Sequence, residues 1–115
     1  MRDWDFESQQ RDTAWVIDDV SKTQGISIGA PITLEVQTVD GGQGSRAEYV
    51  ATLETRQLKH SFFGGDEDDP ETITVVFPDT LFELSSIWQR ERLVTEVALQ
   101  FGYVPDGWGF WEPGS

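Results

Sequence analysis

The chain has no cysteine and no asparagine, one histidine, one methionine and two lysines. Missing thiols exclude disulfides, thiolate metal sites and a cysteine nucleophile. The single imidazole, His60, fits no metal-ligand spacing and no nucleophile-elbow motif, so it reads as an ordinary edge or loop residue. Apolar runs are short, as at Val75-Val76-Phe77, and the opening Met1-Arg2-Asp3-Trp4-Asp5-Phe6 lacks the apolar stretch that leads a secreted chain. No membrane span is expected, and the expected setting is cytoplasmic. Positive charge is the scarcest commodity: 8 Lys and Arg stand against 21 Asp and Glu, a formal net charge of −13. That sign excludes a polybasic nucleic-acid binder, because neutralisation of phosphate by Lys and Arg supplies most of such affinity.

What is present suffices for one folded domain. At 115 residues the chain should bury about two-thirds of its unfolded surface with no metal or disulfide to assist. Aromatic residues make up 12% of it, enough rings to build a core from an otherwise polar composition.

Three runs suggest strands. Ile32-Thr33-Leu34-Glu35-Val36-Gln37-Thr38 alternates apolar and polar residues with period two. Ala47, Tyr49, Ala51 and Leu53 alternate with Glu48, Thr52 and Glu54 in the same way, and the glycine-rich Asp40-Gly41-Gly42-Gln43-Gly44-Ser45 between the two runs predicts a hairpin turn. The third, Thr72-Ile73-Thr74-Val75-Val76-Phe77, is rich in β-branched residues; it is expected to end at Pro78 and to pair with the second. A helix is expected from Thr80 to Phe101, since Leu84, Ile87, Trp88, Val94, Val97, Ala98 and Phe101 recur at spacings of three and four. Thr80 with Glu83 and Ser86 with Gln89 compete as capping boxes for its start, and Gly102 followed by Pro105 marks its end. Another helix is expected over Ser8 to Thr23, although Trp15-Val16-Ile17 would also suit a short strand. The expected fold is therefore α+β, in the order α-β-β-β-α: a three-stranded antiparallel sheet covered by helices, in a single domain over residues 1–115 with an aromatic C-terminal tail.

Chemistry-bearing groups are few. Five carboxylates crowd into Asp66, Glu67, Asp68, Asp69 and Glu71, but Pro70 and Glu71 fall where a Ca²⁺ loop needs a ligand and a glycine, so no metal and no cofactor is expected. Gly41 to Ser45 lacks the lysine of a phosphate-binding loop. Paired carboxylates for hydrolysis can be chosen anywhere among so many acids, so no catalytic residue is assigned and the protein is not expected to be an enzyme. The acids are unevenly spread. Residues 61–78 hold five acids and no base, whereas 31–60 are nearly balanced. Uniform acidity would serve solubility in a salt-adapted cell, the alternative for a structural or housekeeping subunit; concentrated acidity suits a targeted contact. The expected function is that of a small binding or inhibitor protein occupying a basic, nucleic-acid-binding surface of a partner such as a nuclease or a nucleic-acid-guided complex, as immunity and anti-defence inhibitors do. Asp66, Glu67, Asp68, Asp69, Glu71, Asp79 and Glu83 would supply charge, and Trp108, Phe110 and Trp111 the apolar anchor. Direct contact with nucleic acid or membrane is not expected.

Overall fold

Helix α1 spans Phe6–Gln24, and its limits follow from its ends. The Asp5 carboxylate accepts a hydrogen bond from the Ser8 amide at 3.0 Å, and Gly25 takes the left-handed conformation, φ 69°, and returns its own N–H to Ser21 O. Trp15-Val16-Ile17 is thus helical, burying Ile17 and leaving Trp15 67% exposed. A computed structural model describes residues 4–42, 44–64 and 70–112. Asp66, Glu67, Asp68 and Asp69 lie outside these described residues.

The elements after α1 run β1 (Pro31–Asp40), α2 (Arg46–Thr55), β2 (Lys59–Phe63), β3 (Thr72–Leu81), α3 (Leu84–Gln100) and β4 (Tyr103–Trp111). Four strands form one antiparallel sheet in the order β2-β3-β1-β4. From β1 onward this is two interleaved β-α-β units, the ferredoxin-like split arrangement, with α1 added in front. The class is α+β as expected, with four strands rather than three. None of the described helices is long and apolar enough to cross a membrane.

Three expectations need correction. Residues 47–54 form no strand but lie in α2, where Tyr49 and Leu53, one turn apart, are the buried pair. Alanine, glutamate and leucine favour a helix, and an alternation written mostly in alanine carries little strand preference. The glycine-rich turn therefore joins a strand to a helix, and β3 pairs with β1 and β2. Nor does Pro78 end the third strand, which continues to Leu81. The β1–β3 register shifts between Ile32 and Leu34, so Pro78 falls in a bulge where its missing N–H breaks no ladder bond. With Thr80 held in β3, α3 starts at Leu84 with Glu83 as its N-cap, and neither capping box forms: Thr80 Oγ1 donates to Phe77 O, and Ser86 Oγ accepts from Leu81 N.

The aromatic tail is strand β4. Val36 pairs with Trp108 and Thr38 with Pro105, so Asp106 and Gly107 bulge out between them, with Gly107 at φ 98°.

All three helices contribute to one core on one face of the sheet. Leu34, Val36, Ile73 and Val75 from the strands meet Ile17 of α1, Tyr49 and Leu53 of α2, and Ile87, Val94, Val97 and Ala98 of α3. Thr38, also on this face, hydrogen-bonds the Tyr49 hydroxyl at 2.9 Å, and burial pushes that phenol up to about 12. The opposite face, with Glu35, Gln37, Thr72 and Thr74, is only half-buried.

The turn after β1 is tightly built. The Asp40 carboxylate accepts hydrogen bonds from the amides of Gly42 and Gly44, both at 2.9 Å. It thereby fills, from within the chain, the amide cradle that an anion would otherwise use. A Cβ on Gly44 would stand 2.6 Å from the Tyr103 ring and 2.7 Å from the Asp40 carboxylate. Gly44→Ala is accordingly expected to destabilise the fold by about 1 to 3 kcal/mol, the usual cost of overpacking, as read by urea denaturation.

Candidate functional site

The acidic and aromatic residues singled out from sequence that fall among the described residues do not gather at one place. Glu71 sits beside the β2–β3 connection, at the end of the sheet where β4 begins. Its side chain is only 12% exposed, paired with Arg46 at 3.0 Å and accepting a hydrogen bond from the Tyr103 hydroxyl. Burial first, and this carboxylate second, push the Tyr103 phenol upward. Asp79 and Glu83 lie at the other end of β3, about 30 Å away at roughly 3.4 Å per residue. Asp79 is exposed and Glu83 half-buried. Trp111 is also at that end, paired with Thr33 and 44% exposed. Phe110 is half-buried, its ring 5.0 Å from that of Phe82, and so belongs partly to the core.

Trp108 stands among residues of α1 and α3 that the sequence did not associate with it. It lines a groove between α1 and β4, which exists because α1 rests on α3 rather than on β4. The indole N–H of Trp108 donates to Thr13 Oγ1 at 3.3 Å, and Thr13 Oγ1 in turn donates to Glu91 Oε1. Gln9 Nε2 reaches the other carboxylate oxygen at 3.2 Å and Thr95 Oγ1 at 3.0 Å, while Gln9 Oε1 accepts from the Trp4 indole at 2.8 Å. One polar network thus ties the chain before α1, α1 itself, α3 and β4 together. Glu91 is its centre, 4% exposed at the floor of a cavity of about 290 Å³.

Loss of water raises the Glu91 carboxyl above its ordinary value, and Asp12 nearby adds to the effect, while the hydrogen bonds from Thr13 and Gln9 oppose it. None of the three ion pairs among the described residues involves Asp12 or Glu91. Because the folded chain holds this proton more tightly than the unfolded chain, Glu91 contributes stability below the unfolded value of 4.5. That contribution is lost as pH rises through the raised folded value. The stability of the protein relative to Glu91→Gln should therefore fall as pH rises from about 4.5 through the raised folded value, measured by urea denaturation; a constant difference would contradict it.

Glu91 was missed from the sequence, where the one signal for it is that it is the only acid on the stripe Leu84, Ile87, Trp88, Val94, Ala98 that otherwise holds α3 to the core. Gln9, Asp12 and Thr13 carried no such signal, because only packing brings them to Glu91. Past Trp108 the groove continues over Val16 and Val20 of α1, Ile26 just after it, and Phe110 and Trp111 of β4, with Gln24 and Glu112 also in its lining, so that this end is mainly apolar where the other is acidic. His60, the sole imidazole, is away on β2 with Nδ1 3.0 Å from Leu58 O. No protein-family model matches the chain, and no curated protein matches it either.

Proposed function

We propose that this is a non-catalytic binding protein that occupies a basic surface of a partner protein, one that otherwise holds nucleic acid, in the manner of an inhibitor or immunity protein. The observation that carries this reading is charge left uncompensated by the fold. With a net charge of −13, only three ion pairs form among the described residues, and one of the acids outside them, Glu91, is buried beneath a cavity. Such a field attracts a cation-rich surface and speeds encounter with it. The groove adds what charge lacks, an apolar wall of aromatic residues able to slow dissociation.

The test is affinity capture from the native host at physiological salt, followed by cross-linking of the captured complex to locate the contact. A contact surface on the partner rich in Lys and Arg is the expected result. An acidic or neutral contact surface would overturn the proposal and leave the acidity as a solubility device.

A further inference from the structure

We infer that the groove between α1 and β4 takes an extended basic segment of the partner, lying along β4, with an arginine entering the Asp12–Glu91 end beside Trp108 and a large apolar side chain four residues away seated over Val20 and Phe110. This rests on the proposed function and specifies the feature that the basic partner presents. Four observations carry it.

First, β4 is an edge strand, with β1 as its only strand neighbour among the described residues. An edge strand presents unpaired N–H and C=O groups, and an extended peptide adds to such an edge through main-chain hydrogen bonds. Second, the acidic end holds two carboxylates, one exposed, Asp12, and one buried, Glu91, and no Lys or Arg is among the described residues that line it. Third, this cavity, about 290 Å³, is at the small end for a ligand pocket, suited to a side chain rather than a cofactor. Arginine fits better than lysine. Its planar guanidinium stacks on an indole, forks onto carboxylate oxygens and is more weakly hydrated, so it loses less on entering.

The fourth observation is spacing. Asp12 and Val20 are eight residues apart on α1, about 12 Å at roughly 1.5 Å per residue. An extended chain covers that distance in about four residues, and residues i and i+4 of a strand point to the same side. An arginine and an apolar residue at that separation would both enter the groove.

The experiment uses the full chain and a nine-residue blocked peptide of alternating threonine and valine, with arginine third and phenylalanine seventh, titrated by calorimetry. Saturable binding is expected. Replacing the arginine by neutral citrulline should weaken it about tenfold or more, lysine should be intermediate, and moving phenylalanine to the sixth position should weaken it similarly. On the protein, Asp12→Asn should weaken binding about tenfold, whereas Glu54→Gln, which removes an equal charge at an exposed position of α2 outside the groove, should leave it unchanged. Circular dichroism of both variants checks that they are folded. Absence of saturable binding up to about 1 mM, an affinity near the limit for any specific contact, overturns the groove assignment. So does equal binding of the citrulline peptide, or an equal effect of Glu54→Gln. Such failures leave the proposed function standing if the captured partner still makes contact through a basic surface elsewhere; a non-basic contact surface removes both.

Discussion

Truncating Ile87 to alanine is expected to lower the free energy of unfolding by about 2 to 5 kcal/mol. The side chain is fully buried in the cluster that joins α3 to Leu34, Val36, Ile73 and Val75 of the sheet, so its removal loses apolar burial and leaves a cavity that the close-packed surroundings fill only in part. A domain of this size has about 5 to 15 kcal/mol in total, so one such change consumes a large share of it. Phe101, given the same weight by periodicity, is half-buried at the C-cap of α3 with its ring stacked 6.2 Å from Tyr49, and Phe101→Ala should cost less than Ile87→Ala. Gln100 is exposed, and Gln100→Ala should shift stability by no more than about 0.5 kcal/mol. Urea denaturation of the three variants checks the order; an Ile87→Ala protein as stable as its parent would mean that α3 turns another face inward.

The second large effect concerns association. Neutralising Asp66, Glu67, Asp68 and Asp69 together should slow binding to the captured partner about tenfold or more and flatten the dependence of the association rate on salt, with little change in dissociation. The reason is that long-range charge steers the encounter, while short-range desolvated contacts set the lifetime of the complex. Trp111→Ala should do the reverse. Its ring is 44% exposed at the end of β4, so truncation removes little from the core, and loss of an aromatic anchor of about 2 kcal/mol corresponds to roughly thirtyfold faster dissociation. Trp108 serves this comparison less well, since its indole also hydrogen-bonds Thr13 inside the network around Glu91. Surface-plasmon kinetics at several salt concentrations separate the two effects. If the fourfold neutralisation changes only dissociation, steering is not what these acids do.

The elements that could be read from the sequence are those whose pattern and packing agree. In α3 the three-and-four spacing of Leu84, Ile87, Trp88, Val94 and Ala98 matches the face that is buried, and Gly102 adopts the left-handed conformation, φ 80°, that its place after the helix suggested. Strand β1 is central, and its alternation was plain. Strand β2 was missed because Lys59–Phe63 is a short edge element with little to bury: Phe62 is half exposed and Phe63 79% exposed. Strand β4 contains Pro105, Gly107 and Gly109, residues that usually interrupt a ladder, and only an edge position with a bulge accommodates them. In α2 the residues facing outward outnumber the buried pair Tyr49 and Leu53, leaving the helical period too weak to be seen. The candidate groove was illegible for a different reason. Its acidic end joins residues about 80 positions apart in the chain, Gln9 and Thr13 to Glu91, and nothing local in either segment announces the other.

The most direct test of whether this protein occupies a nucleic-acid-holding surface is competition. The captured partner, immobilised and loaded with the protein at physiological salt, is challenged with increasing single- or double-stranded polynucleotide. Progressive displacement at constant salt is expected, because polynucleotide and protein would claim the same cationic groups. Retention of the protein on a partner that is simultaneously saturated with polynucleotide would contradict it.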